Sequence, residues 1–130
     1  MDLVIAVVVL VLIEYIAFGI LVGRAREKYG IAAPAISGDP VFERYYRVHQ
    51  NTAEQLLAFL PAIFLYSHLG NTTVAAGLGT VFLVGRGLYL RSYVADPKSR
   101  GLGFAMSFLP TAFMLVASLV IAVGNLLGMF

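Results

Sequence analysis

The sequence predicts an all-α protein, an integral membrane four-helix bundle in which successive helices run up, down, up and down. Three observations lead to this fold class: 60% of the 130 residues are hydrophobic, only 12% are charged, and the apolar residues form four long runs. A soluble domain carries about 25% charged residues. A bilayer crossing takes about 20 residues of helix, and the runs fall at about 3–23, 44–69, 74–93 and 102–127. We therefore expect one domain over residues 1–130.

The first predicted helix, residues 3–23, is almost wholly apolar and contains one acidic residue, Glu14. No basic segment precedes it and no small-residue cleavage site follows, so we interpret it as a membrane helix rather than a signal peptide. An ionisable group at membrane depth is costly unless it is paired. Glu14 is therefore expected to meet a polar group in a helix interface. Pro34, Gly38 and Pro40 then indicate a loop.

The second predicted helix, residues 44–69, opens with the polar segment "ERYYRVHQNTAEQ" before its apolar run. Residues 56–69 are too few to cross a bilayer, so a full crossing places Asn51 and Glu54 below the membrane surface. Arg44, Arg47, Asn51 and Glu54 share one helix face narrower than a quarter-turn. An ion pair between Arg47 and Glu54 would explain two of these groups. The whole stripe favours a polar ligand site.

The third predicted helix, residues 74–93, repeats this pattern with Arg86, Tyr89 and Tyr93 at i, i+3 and i+7. Arg91 falls on the opposite side, where it is interpreted as a membrane-surface anchor. Arg100 precedes the fourth predicted helix, residues 102–127, after a turn containing proline. Its position is expected to lie above a cavity between helices 2 and 3. Prolines inside helices 2 and 4 are expected to kink them.

The basic residues predict the orientation of the bundle. All nine fall near the first and third connections, and neither terminus nor the second connection carries one. The positive-inside rule therefore puts those two loops in the cytoplasm and both termini on the extracytoplasmic side. The polar ends of all four helices would then meet near the cytoplasmic face.

The polar groups gathered at this face suggest the kind of ligand. Arginines suit carboxylates, a glutamate suits an ammonium group, and asparagine and tyrosine suit peptide amides, so a small zwitterionic peptide would fit. An arginine can also stabilise a thiolate. Cysteine is absent and the two histidines lie far apart, so we expect no metal site, and we expect no nucleic-acid partner. The residues in question are Arg24, Arg47, Asn51, Glu54, Tyr89, Tyr93 and Arg100.

The segment "FERYYRVHQNTAEQLLAFLPAIFLYS" resembles the helix 2 signature of the MAPEG superfamily, the membrane-associated proteins of eicosanoid and glutathione metabolism. The general form of that signature, E-R-x-x-R-x-x-x-N-x-x-E, is matched by Glu43, Arg44, Arg47, Asn51 and Glu54. The segments "FLVGRGLYLRSY" and "KSRGLGF" resemble the helix 3 and helix 4 patterns of the same family. The resemblance covers essentially the whole chain.

The resemblance implies a homotrimer that binds glutathione as co-substrate between adjacent subunits, near the cytoplasmic face. Arg100 would be the catalytic residue, because it matches the arginine that activates the glutathione thiol. His49 matches a histidine of the microsomal glutathione transferase and prostaglandin E synthase branch. The implied glutathione-binding residues are Arg24, Arg47, His49, Asn51, Glu54, Tyr89 and Tyr93.

Departures from the family pattern narrow the implied activity. Gln55, Gly101 and Phe104 replace residues typical of the specialised eicosanoid synthases, which favours a generic glutathione transferase or peroxidase. Its substrates would be lipophilic electrophiles or lipid hydroperoxides, and its location a bacterial inner membrane. Two alternatives stay open: a non-catalytic lipid-binding scaffold of the same fold, and a small transporter subunit, for which Glu14 is the supporting feature.

Overall fold

The computed structural model describes all 130 residues and contains only helices: α1 (Asp2–Tyr29), α2 (Pro40–Leu69), α3 (Thr72–Ala95) and α4 (Gly101–Leu126), with a 3₁₀ turn at Pro97–Ser99. Three helical stretches, α1, α3 and the Pro97–Leu126 segment that contains α4, are long and apolar enough to cross a membrane. α2 spans about 45 Å at the usual helical rise, but its first half is polar. The predicted all-α four-helix fold class is confirmed.

Contacts between helix ends establish the order up, down, up, down. Arg44 Nη1 at the start of α2 donates a hydrogen bond of 3.0 Å to the carbonyl oxygen of Val94 at the end of α3. The end of α1 packs against the start of α2 in a small apolar cluster. Gly103 near the start of α4 lies against Tyr89 near the end of α3. Successive helices are therefore antiparallel, and four helix ends meet at one face.

Two helices begin or end outside their predicted bounds for identifiable reasons. α1 continues six residues beyond Gly23 because its charged segment is still helical, and it ends where Gly30 adopts a left-handed φ of 70°. α2 begins at Pro40, which was expected to belong to the loop. The side chain of Asp39 accepts hydrogen bonds from the two backbone N–H groups that follow Pro40, and a proline at the first helical position loses no hydrogen bond. The helices continue through the internal prolines of α2 and α4.

The apolar core occupies the half of the bundle that holds the termini. The rings of Phe59 and Phe82 stack at its centre with their centroids 3.9 Å apart. In a membrane such contacts stabilise through close packing rather than through removal from water. The cluster comprises Val4, Val7, Val8, Val11, Leu56, Phe59, Ala62, Ile63, Tyr66, Ala75, Ala76, Phe82 and Met114. The opposite half of the bundle is left for polar residues.

α3 and α4 approach each other more closely than side chains would allow. A Cβ atom at Gly85 would lie 2.6 Å from Cβ of Met106, and one at Gly103 would lie 2.5 Å from the backbone nitrogen of Tyr89. Small residues permit this kind of contact between membrane helices. The close contact fixes the backbone that carries the polar side chains of α3.

Candidate functional site

A polar cavity of about 400 Å³ opens in the half of the bundle opposite the termini, between α2, α3 and α4. Six of the eight predicted site residues line it, and Phe104 of α4 adds an apolar ring that the sequence analysis had noted only as a departure from the family. The lining residues are Arg47, Asn51, Glu54, Tyr89, Tyr93, Arg100 and Phe104. The cavity thus combines two guanidinium groups, a carboxylate, an amide and two phenols.

The α2 side of the cavity follows from helix geometry. Arg47, Asn51 and Glu54 recur at i, i+4 and i+7, a spacing that places all three side chains on one helix face. Glu54 is exposed although it lies in the middle of α2. No ion pair joins Arg47 to Glu54, so both charged groups face the cavity separately. The ion-pair interpretation of the stripe is therefore not what the fold contains.

Arg86, which the sequence analysis did not assign to the site, connects three helices behind the cavity. Its side chain is 0% exposed. Nη2 donates hydrogen bonds of 2.9 Å to Oδ1 of Asn51 and 2.9 Å to Oγ1 of Thr52, and Nη1 donates one of 3.2 Å to Oγ of Ser107. Its position between Gly85 and Gly87 in an apolar helix was the signal that could have indicated a buried role.

The α3 side of the cavity is formed by stacked aromatic rings. Tyr89 and Tyr93 stack with centroids 5.5 Å apart, and the guanidinium carbon of Arg100 lies 5.9 Å from the Tyr93 ring centroid. Arg100 is exposed, and its one hydrogen bond within the chain is a long contact of 3.4 Å from Nη1 to the carbonyl oxygen of Pro97. Its guanidinium therefore keeps most of its donors available to a ligand.

Two predicted site residues lie elsewhere in the single chain. The His49 ring faces α1, where it stacks on Tyr15 with centroids 4.6 Å apart. It projects about 160° away from Asn51 around α2, so the two residues cannot line the same cavity. Arg24 lies beside Lys28 and Tyr45 in a separate cavity of about 190 Å³ at the end of α1.

An apolar groove of about 320 Å³ adjoins the polar cavity between α2 and α4. Glu54 lines both, so the carboxylate marks the boundary between them. Gln55 faces this groove rather than the polar cavity, and Ala58, Phe108 and Val116 are among its apolar lining residues. A polar cavity and an apolar groove thus share one lining residue, Glu54, within one chain.

The amino-acid sequence is similar to those of several known proteins. The chain is 43% identical to an uncharacterised protein of Synechocystis sp. in an alignment of 106 residues, which covers 82% of this chain and 77% of that protein. It is 38% identical over 90 residues to human microsomal glutathione S-transferase 2, covering 69% and 61% of the two chains. It is 30% identical over 83 residues to bovine leukotriene C4 synthase, covering 64% and 55%.

The human and bovine alignments span less than two thirds of those proteins' own length. The sequence pattern of the MAPEG family matches residues 4–120, which is almost the full chain. That range includes every residue that lines the polar cavity. The chain therefore belongs to the MAPEG family.

Proposed function

We propose that the protein is a membrane glutathione S-transferase or glutathione-dependent peroxidase, which conjugates glutathione to lipophilic electrophiles or reduces lipid hydroperoxides. The polar cavity is the observation that carries this proposal. Glutathione presents carboxylates, an ammonium group, peptide amides and a thiol. Arg47 suits a carboxylate because a guanidinium can bind it through two parallel hydrogen bonds. Glu54 is the counter-charge for the ammonium group, and Asn51 is the partner for a peptide carbonyl.

Arg100 is the proposed catalytic residue. The thiolate rather than the thiol is the nucleophile, and a guanidinium stays charged at any working pH, so Arg100 favours the ionised sulfur. In conjugation, the sulfur forms a bond to the electrophilic carbon, the leaving group departs with its electron pair, and the thiol proton passes to solvent. In the peroxidase reaction, two glutathione molecules are oxidised to the disulfide while the hydroperoxide is reduced to an alcohol and water.

The apolar groove between α2 and α4 is the proposed site of the lipophilic co-substrate. It begins at Glu54, where the polar cavity ends, so its contents lie beside the bound tripeptide. Ala58 and Phe108 give it the surface that an acyl chain or an aromatic electrophile requires. The shared position of Glu54 supports a reaction between one polar and one apolar substrate.

We also propose that the protein acts as a homotrimer in a bacterial inner membrane, with its termini outside and the cavity near the cytoplasm. Glu54 is exposed in the single chain, and an ionisable side chain in contact with lipid costs several kcal/mol, about 2.5–3.5 on insertion scales. A neighbouring subunit would cover it. In such an assembly Arg24, which lies outside the cavity of its own chain, would border the cavity of a neighbour.

Glutathione binding and conjugation by the purified protein in mild detergent test the proposal. A chlorinated nitrobenzene serves as the electrophile, and Arg100→Ala protein serves as the matched control. Saturable glutathione binding with conjugation that depends on Arg100 is the expected result. Binding without turnover would favour the non-catalytic scaffold, and the absence of both would contradict the proposed function and favour the transporter.

A further inference from the structure

We propose that Arg86 is a positioning residue, which orients Asn51 and Tyr89 towards the polar cavity, and that Glu14 of α1 supplies its counter-charge. The functional part of this inference rests on the proposed glutathione site. Its structural part concerns the chain alone. Arg86 does not line the cavity and is wholly buried behind it, so it acts through the two residues it holds.

The hydrogen bond from Arg86 fixes which way the Asn51 amide faces. A guanidinium has only donors, so Asn51 must present its oxygen to Arg86, and Oδ1 accepts from Nη2 at 2.9 Å. The amide nitrogen is then directed away from Arg86. Because Asn51 also lines the cavity, that nitrogen is available to donate to a ligand carbonyl. Without Arg86, the amide could rotate and present either end.

The same guanidinium fixes the Tyr89 ring. Its central carbon lies 4.3 Å from the ring centroid, within the range of a cation–π interaction, which strengthens where water is excluded. The Tyr93 ring also stacks on the Tyr89 ring. The backbone of Tyr89 is already fixed by its contact with Gly103. Arg86 therefore contributes the remaining constraint, which is the orientation of the phenol.

Glu14 is placed to balance the charge of Arg86. A Cβ atom at Gly87 would lie 3.6 Å from Oε2 of Glu14, so the Glu14 carboxyl group lies against α3 beside the residue that follows Arg86. The hydrogen bonds of Arg86 go to Asn51, Thr52 and Ser107 rather than to Glu14, so the proposed pairing acts through charge. Oε1 of Glu14 and Nε of Arg86 are both buried and have no hydrogen-bond partner. Opposite charges attract strongly in a low dielectric. Arg86 on α3 is thus the proposed partner for Glu14, through its charge and not through a hydrogen bond.

The first test replaces Arg86 with lysine, which keeps the charge and loses the planar fork. We expect glutathione affinity to fall about tenfold, the value of one well-made hydrogen bond to a charged group. The KM for the electrophile and the thiolate absorbance per bound glutathione should not change, because Arg100 is untouched. Arg91→Lys on the exposed face is the matched control. Wild-type glutathione affinity in Arg86→Lys would overturn the positioning role.

The second test separates positioning from stability. Glu14→Gln leaves the Arg86 charge uncompensated and should lower the Tm. The double variant Glu14→Gln with Arg86→Met removes both charges, so we expect its Tm to recover above that of Glu14→Gln while its glutathione affinity stays reduced. Recovery of both properties would overturn the proposed orientation of Asn51 and Tyr89. A Tm that does not recover would overturn the charge pairing.

Fluorine NMR of fluorotyrosine at position 89 tests the inference without glutathione. The resonance should shift and broaden in Arg86→Lys protein and stay unchanged in Arg91→Lys protein. An unchanged resonance in Arg86→Lys would overturn the inference. Wild-type protein that binds no glutathione would instead contradict the proposed function, and the fluorine spectra would still decide whether Arg86 holds the ring.

Discussion

Arg100 is the residue whose replacement distinguishes a catalytic cavity from one that only binds. It is exposed, lines the cavity and has most of its donors free. We expect Arg100→Ala to lower turnover at least tenfold. Removal of one group that stabilises developing charge typically costs about 100- to 1,000-fold in turnover. Glutathione affinity should change little. The absorbance of bound thiolate at about 240 nm should fall in parallel, because the thiolate is the form that the arginine favours.

The matched control for this prediction is Arg91→Ala. Arg91 is exposed on α3 and does not line the cavity, so turnover and thiolate absorbance should both match wild type. Equal activity in wild-type and Arg100→Ala protein would show that a different group activates the thiol. Tyr93, which lies beside Arg100, would then be the next residue to replace.

Glu54 and Asn51 should respond differently to substitution although both line the cavity. Glu54→Gln removes the charge proposed to pair with the ammonium group, so it should weaken glutathione binding about 10- to 150-fold. Because Glu54 is exposed, the Tm should not change. Asn51 accepts a hydrogen bond from buried Arg86, so Asn51→Ala should lower both affinity and Tm. Calorimetric titration and thermal unfolding measure the two effects. Unchanged affinity with failed assembly in Glu54→Gln would mean that the stripe on α2 is structural.

Helix periodicity predicted which residues of each helix line the cavity. It could not predict which residues of other helices they contact. The stripe on α2 and the tyrosines of α3 do line one cavity, as their spacing predicts. His49 was assigned from resemblance alone, and its position on the other face of α2 directs it to Tyr15. Arg86 shares a face with the tyrosines, but its depth and its partners on α2 and α4 depend on tertiary packing. The roles of the cavity residues in binding glutathione stay predictions.

At the level of helices, the close contact of α3 and α4 should be sensitive to the addition of a single methyl group. A Cβ atom at Gly103 would lie 2.5 Å from the Tyr89 backbone nitrogen, which cannot move without shifting the helix. We therefore expect Gly103→Ala to lower the Tm by several degrees, as overpacking costs about 1–3 kcal/mol, and to weaken glutathione binding. Gly101→Ala, where nothing lies within 4 Å, is the control and should resemble wild type. Equal Tm values for the two variants would contradict the close contact.

The helices themselves were predictable because each apolar run is long, whereas their ends depend on local hydrogen bonds. Composition predicted that the charged segment after Gly23 lies outside the first membrane crossing, but a helix can continue into water. It continues here until Gly30. Pro40 was expected in the loop because proline is typical of turns. The Asp39 side chain instead caps the helix, and Pro40 is the first residue of α2.

At the scale of the whole molecule, the proposed trimer follows from the exposure of Glu54. We expect native mass measurement in mild detergent to give three copies of the 14.0 kDa chain, because three subunits can cover polar groups that one leaves open to lipid. Chemical crosslinking should give the same number. A stable monomer that binds glutathione would contradict this assembly.

The buried guanidinium of α3 also has a consequence for biogenesis. A lone arginine at the centre of a membrane helix raises the free energy of translocon insertion by about 2.5–3.5 kcal/mol. Its partners Asn51 and Thr52 lie on α2, which is synthesised earlier, whereas Ser107 lies on α4, which is synthesised later. We therefore expect α3 to enter the bilayer as a hairpin with α2, with the hydrogen bonds from Arg86 to Asn51 and Thr52 forming before the one to Ser107.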